Sequence, residues 1–105
     1  MITDEQAEKA SDYIRDNAQT FAQAKANRIY LDEFRRSKEA MLYQQAPTGT
    51  IPEKEAYTRS HPEYLQVLDG LKEAVEQEER IRWLMIAAQT KIEIWRTQSA
   101  NERKG

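Results

Sequence analysis

The sequence contains no cysteine, which excludes disulfide bonds, thiolate zinc sites and thiol nucleophiles. Glycine and proline are scarce, with three of each in 105 residues, and five of these six lie between Pro47 and Gly70. Long stretches without either residue favour uninterrupted helix. No apolar run approaches the ~20 residues that a membrane-spanning helix needs. These absences point to long helices in an aqueous environment.

The first residues also lack the features of a secretory signal peptide. Met1 is followed within four residues by Asp4 and Glu5, where a signal peptide would carry a basic region and then an apolar one. We therefore expect a cytoplasmic protein.

The first half of the chain carries one apolar stripe at helical spacing. Its members recur at steps of 3, 4 or 7 residues: Ala10, Ile14, Phe21, Ala24, Leu31, Phe34 and Met41. Such spacing is typical of a helix with one buried face. Thr3 and Gln6 form a capping-box pair in front of it, and Pro47 ends it. The pattern predicts a long helix over about residues 3–46.

A second stripe runs through the other half of the chain. All its steps are 3 or 4 residues: Tyr64, Leu68, Leu71, Ala74, Glu78, Ile81, Met85, Ala88, Ile92 and Trp95. It predicts a helix over about 62–101, and the sustained spacing is that of a coiled coil. Between the two helices, Thr50 and Glu53 predict a short helix over about 52–59. Either Ser60 or His61 should cap the helix that starts at Pro62, because residues before proline avoid helical angles.

Charge is distributed in blocks that predict how the helices pair. Residues 1–16 carry a net −3 and residues 80–105 a net +4, whereas residues 17–46 carry +2 and residues 62–79 carry −5. An antiparallel pairing sets opposite charges side by side, and a parallel one sets like against like. We therefore predict a single all-α domain built as an antiparallel helical hairpin with a short connecting helix.

The same pairing predicts specific neighbours in the hairpin. Phe21 should lie near Ala88 and Phe34 near Ala74, because a large side chain packs well against a small one.

The segment 81–95 is apolar on more than one face, which two helices alone cannot cover. Trp83, Ile86 and Ile94 share a face away from the main stripe. We expect another chain to bury this face, so the sequence predicts a homodimer with a four-helix arrangement.

Signals for catalysis or metal binding are absent from the sequence. It has no phosphate-binding glycine loop, nucleophile motif or zinc-ligand spacing. A lone His61 in front of Pro62 is explained by helix capping. The acidic run 73–79 lacks the Glu-x-x-His motifs of a di-metal bundle, and Glu76–Arg80 and Glu78–Arg82 pairs account for it. We expect neither an enzyme nor a cofactor.

Basic residues near the tryptophans of the last helix are candidates for nucleic-acid contact. These are Arg82, Lys91, Arg96 and Arg103, near Trp83 and Trp95. A second candidate patch combines Arg28, Arg35, Arg36 and Lys38 with Tyr30 and Tyr43. Positive side chains with aromatic platforms are typical of single-strand binding. Alternatively, the first set neutralises the acids from Asp4 to Asp16, with Arg96 near Asp12 or Asp16, and the net charge of −2 favours this view.

Two segments carry a resemblance to known proteins: AKANRIYLDEFRR (24–36) and AYTRSHPEYLQVLDGLKEAVEQEERIRWLMIAAQTKIEIWRTQSANER (56–103). The runs 61–64 and 82–96 are the most specific pieces. In these segments the sequence resembles a family of small phage and prophage helical proteins that are encoded near phage recombination and single-strand-binding genes. The resemblance implies a role in phage DNA metabolism in the host cell cytoplasm, and it assigns no catalytic or binding residue.

Two hypotheses of function follow. The first is a non-enzymatic accessory protein of phage DNA recombination or replication that acts through protein–protein or protein–DNA contacts. The alternative is a structural or inhibitory protein that binds a host or phage protein and does not contact nucleic acid. In both, we expect a homo-oligomer without a membrane partner.

Overall fold

The structure, a computed structural model, describes residues 1–104. Within that range it consists of three α-helices and contains no strand: α1 (Asp4–Gln45), α2 (Ile51–Ser60) and α3 (Pro62–Lys104). The long helices α1 and α3 pack against each other in antiparallel directions, as the contacts below show. The predicted all-α hairpin is therefore confirmed.

Side-chain caps define where the helices start. At the start of α1, the Gln6 amide donates to Thr3 Oγ1 at 3.1 Å, and the Thr3 amide donates to Gln6 Oε1 at 2.9 Å. At α2, the Glu53 amide donates to Thr50 Oγ1 at 3.3 Å. These bonds satisfy amide groups that have no partner within the helix.

His61 is the capping residue between α2 and α3. The Glu63 amide donates to His61 Nδ1 at 3.1 Å, and the His61 backbone adopts an extended conformation. The amides of Tyr64 and Leu65 donate to the His61 carbonyl oxygen. His61 is therefore the cap of α3, and the sequence alternative, Ser60, closes α2 instead.

The tertiary contacts group the chain into two compact units. The terminal unit comprises residues 1–23 and the chain from residue 78 onward. In it, the Ile2 amide donates to Gln98 Oε1 at 3.1 Å, and Trp95 Nε1 donates to Asp4 Oδ1 at 2.7 Å. The start of α1 thus lies beside the end of α3. The core of this unit consists of small and branched side chains: Ala7, Ala10, Ile81 and Ala88.

The middle unit comprises residues 24–77. Lys38 Nζ lies 3.5 Å from Glu63 Oε2, so the end of α1 lies beside the start of α3. Leu42 and Thr58 are each 1% exposed and bring α2 into the core. The Thr58 hydroxyl donates to the Lys54 carbonyl oxygen, which satisfies its polar group inside the helix.

The buried face of α1 differs from the predicted one in the middle unit. Phe34 and Met41 are 38% and 49% exposed, whereas Leu42 is buried. The inward positions include Arg35 and Lys38, whose side chains are only 24% and 19% exposed. Long basic side chains can pack their aliphatic stems and keep the charge at a carboxylate. Apolar spacing alone could not identify these charged positions. On α3, by contrast, every member of the predicted stripe from Tyr64 to Trp95 is buried or half-buried, and we call this set the inner stripe.

The predicted neighbours within the hairpin were wrong. In the terminal unit, Ala10 lines one groove with Ala88, where Phe21 had been expected. In the middle unit, Phe34 lines a groove with Val67 and Gly70 rather than lying at Ala74.

The position of α2 explains this shift of register. In the structure α1 continues beyond Lys38, which pairs with Glu63 near the start of α3. The last turns of α1 contact α2 instead, where Lys54 Nζ lies 5.8 Å from the centre of the Tyr43 ring.

Candidate functional site

The terminal unit exposes apolar side chains along one side of α3. Trp83 is 59% exposed and Ile94 is 43% exposed, and Ile86 between them is half-buried. Each residue on this side lies 3 or 4 positions from at least one other member of the set: Trp83, Ile86, Ala87, Thr90, Ile94 and Thr97. We call this set the outer face. It contains all three residues that the sequence predicted for an oligomer interface, and their burial by another chain stays a prediction.

The outer face is apolar although it contains two threonines. Thr90 Oγ1 donates to the Ile86 carbonyl oxygen at 2.9 Å, and Thr97 Oγ1 donates to the Glu93 carbonyl oxygen at 3.0 Å. Both hydroxyl protons are therefore used within the helix. This leaves the methyl groups as the contact surface of the two threonines.

A line of charged residues runs beside the outer face. Glu79 Oε2 accepts from Arg82 Nη2 at 2.7 Å, and Glu93 Oε1 accepts from Arg96 Nη1 at 3.3 Å. Each arginine is three residues after its carboxylate, and the second pair repeats the first fourteen residues later. We call Glu79, Arg82, Glu93 and Arg96 the charged stripe.

Arg82 links the charged stripe to the outer face. Its guanidinium carbon lies 4.7 Å from the centre of the Trp83 ring, within the range of a cation–π interaction. The hydrogen bond from Arg82 is the main cause that lowers the pKa of Glu79, and the same bond raises the pKa of Arg82. The sequence had predicted Glu78 as the partner of Arg82. Glu78 is 7% exposed on the inner stripe, and the hydrogen bonds of Arg82 described above go to Glu79.

The structure does not bring the four basic candidates for nucleic-acid contact onto one surface. Arg82, Arg96 and Arg103 share one side of α3, because their spacings of 14 and 7 residues are close to four and two full turns of the helix. Lys91 lines a groove with Lys9 and Tyr13 on the other side of the α1–α3 contact. The basic strip is therefore interrupted.

Arg96 lies near acids of α1, but not those that were expected. It lines a groove with Asp4 and Glu8, about one to three turns before the expected Asp12 or Asp16. The difference follows from the register of the hairpin described above. Arg96 thus pairs with Glu93 of its own helix and shares a groove with two acids of α1.

The second basic candidate patch, in the middle unit, is also engaged by acids. Arg35 Nη2 lies 3.0 Å from Asp32 Oδ1, and a hydrogen bond with this carboxylate raises the pKa of Arg35. Arg36 contacts the same Asp32 and Lys38 contacts Glu63. Of the tyrosines, Tyr30 stacks on Phe34 with ring centres 6.1 Å apart.

The described chain offers no arrangement for metal binding. Within residues 1–104, no group of three or more histidine or carboxylate side chains is placed to hold a metal ion. The acidic run 73–79 follows a helix surface and does not converge. In the same range, no helix has the length and apolar character to cross a membrane.

No family model matches the sequence, and comparisons with curated proteins and with solved structures found no significant match. The functional reading of the chain therefore rests on its own residues and on the resemblance described above.

Sequence reasoning identified the apolar members of the outer face but missed the charged stripe. Glu79 and Glu93 were not singled out as partners of Arg82 and Arg96. The signal was present, because Glu-x-x-Arg occurs at 79–82 and again at 93–96. An i,i+3 pair repeated after two heptads marks a single continuous line on a helix.

Proposed function

We propose that this chain is a non-enzymatic interaction protein whose working surface is the outer face of α3. We further propose that it serves as an accessory protein in phage DNA recombination or replication. The first statement is supported by the exposed apolar residues of α3. The second is supported by the resemblance to phage and prophage proteins encoded near recombination genes.

One observation carries the proposal. Trp83 is 59% exposed, although all ten positions of the inner stripe of α3 are buried or half-buried. Exposed apolar residues that occur singly need no explanation, but a continuous line of them marks a contact surface. Tryptophan is moreover among the residues that most often dominate the energy of protein interfaces.

The charges favour a protein partner over nucleic acid. Arg82 and Arg96 are held by carboxylates of their own helix, and Lys91 lies on a different side of it. Phosphate binding would have to compete with these pairs. The alternative function, an interaction protein without nucleic-acid contact, is therefore supported by the same geometry.

The proposal is tested by capture of partners and by DNA binding with one set of variants. Trp83→Asp and Ile94→Asp place a charge on the outer face, and Val75→Asp places one on an exposed position of α3 in the middle unit. We expect the first two variants to capture less of the proteins that the parent chain binds in extracts of phage-infected cells. Val75→Asp should capture them as the parent chain does. Retention that none of the outer-face variants affects would contradict the proposal.

Nucleic-acid contact is measured separately by fluorescence anisotropy with labelled single-stranded oligonucleotides at low salt. We expect no binding by the parent chain. Binding that falls steeply with salt and is lost in Arg96→Glu would instead favour a protein–DNA role, because phosphate contacts release counterions.

A further inference from the structure

We infer that the outer face of α3 takes a second copy of this chain, docked antiparallel so that the charged stripes of the two copies neutralise each other. The inference rests on the proposed interaction role and names its partner. It concerns only the part of α3 between Glu79 and Thr97, within the terminal unit.

The order of charges along the stripe carries the inference. From the N-terminal end, the line reads Glu79, Arg82, Ile86, Gln89, Glu93 and Arg96, with steps that alternate between 3 and 4 residues. Read from the opposite end, the line has the same spacing, but an arginine stands where a glutamate stood and a glutamate where an arginine stood. A second copy in the opposite direction therefore sets Glu79 against Arg96 and Arg82 against Glu93.

The parallel arrangement has no such match. The charged stripe lies on one flank of the outer face, so in a parallel two-fold dimer the two stripes would lie on opposite flanks of the contact and would not meet. The charged stripe thus selects the direction of the second copy as well as its position.

The apolar residues fit in the same antiparallel register. When Glu79 faces Arg96 of the second copy, Trp83 lies between Thr90 and Ile94 of that copy. Ile86 lies beside Thr90 of the second copy, near the centre of the contact. Small side chains at Ala87 and Thr90 allow the two helices to approach closely, and a tryptophan anchored between smaller residues is a common centre of binding energy.

Symmetry doubles each of these contacts. In a two-fold dimer the same surface serves both copies, so every pair between residues i and j occurs twice. Two Glu79–Arg96 pairs and two Arg82–Glu93 pairs would then flank two tryptophans. Because such a contact closes on itself, the expected product is a dimer and not a filament.

Charge reversal tests both the partner and the direction. Glu79→Arg alone would face Arg96 of its copy, and Arg96→Glu alone would face Glu79. We expect the parent chain to dimerise in sedimentation velocity, and each single variant to weaken the dimer about tenfold or more. Mixing the two variants restores complementary charges in a heterodimer, so the mixture should associate like the parent chain. Lys91→Glu, on the other side of α3, is the matched control and should leave the dimer unchanged.

The outcomes separate this inference from the proposed function. A parent chain that is monomeric at tens of micromolar overturns the inference, whereas the capture experiment with Trp83→Asp still decides the interaction role. A dimer that is indifferent to both charge reversals, or a mixture that fails to recover, overturns the antiparallel register. Far-UV circular dichroism should show unchanged helix content in every variant, because these side chains are exposed and substitutions there scarcely affect folding.

Discussion

At the scale of single residues, the charged stripe depends on which carboxylate meets which arginine. Glu79 and Arg82 share three hydrogen-bond contacts between 2.7 and 3.2 Å, although both side chains remain about half exposed. An exposed pair of this kind adds little to the free energy of unfolding. Its effect should therefore be sought in the titration of Glu79 and not in stability.

We predict that Arg82→Gln raises the pKa of Glu79 towards the ordinary value for a glutamate. The hydrogen bond from Arg82 favours the charged carboxylate, so its small stabilisation is present above the ordinary pKa. It is lost as the pH falls through the lowered pKa of the folded state. Carboxyl carbon shifts followed by NMR against pH measure this midpoint. Lys91→Gln, which removes a cation elsewhere on α3, should leave the midpoint of Glu79 where it is.

The hydrogen bond between Trp95 and Asp4 gives a second prediction at this scale. Asp4→Ala removes the acceptor of the 2.7 Å bond from Trp95 Nε1 and should lower the free energy of unfolding by about 1 kcal/mol. Glu5→Ala is the control, because Glu5 also lies in the first turn of α1 and its carboxylate pairs with the exposed Lys9. Urea unfolding of both variants isolates the tryptophan bond. Equal losses would show that the bond adds nothing beyond the charge of the first turn.

At the scale of elements, the ends of the helices follow from local chemistry. Thr3, Thr50 and His61 all cap helices through side-chain acceptors, and each position was recognisable from its neighbours in the sequence. The inner stripe of α3 was equally recognisable, because its members are apolar apart from Glu78. The corresponding stripe of α1 was not, since Arg35 and Lys38 occupy inward positions there. Only the packed structure shows that their carboxylate partners make such positions acceptable.

Gly70 offers a prediction about α3 itself. It lies within the helix, and a Cβ atom added there would meet no atom within 4 Å. Because glycine disfavours helix relative to alanine, Gly70→Ala should stabilise the protein by about 1 kcal/mol. Thermal unfolding should show a rise of roughly 4–8 °C. Gly49→Ala is the comparison, since Gly49 lies outside the helices and its added Cβ would displace the Glu53 side chain. If Gly70→Ala does not raise the unfolding temperature, the space beside Gly70 that is open in this structure is filled in solution.

At the scale of the whole molecule, the direction of the hairpin was predictable but its register was not. The charge blocks that predicted antiparallel helices each extend over many residues, so a shift of two or three turns leaves opposite blocks side by side. Register depends instead on contacts that involve single residues, such as Lys38 with Glu63. It also depends on α2, which contacts the last turns of α1 at Tyr43.

The register in the terminal unit can be measured with pairs of spin labels, because the chain has no cysteine of its own. Lys9 and Lys91 line the same groove, so labels at Lys9→Cys and Lys91→Cys should lie close together. The register expected from sequence alone would instead place Ala18 opposite Lys91. Labels at Ala18→Cys and Lys91→Cys should be farther apart by roughly 10 Å, since nine residues of helix span about 13 Å along its axis.

All three labelling positions are exposed, so the labels should not disturb the core. Electron–electron double resonance on doubly labelled chains, diluted in unlabelled protein, measures the distance within one chain even if the protein dimerises. A shorter distance for Ala18 with Lys91 than for Lys9 with Lys91 would reject the register described above. It would also move Arg96 away from Asp4 and Glu8 towards Asp12. The acids that share a groove with Arg96 would then come from a different turn of α1.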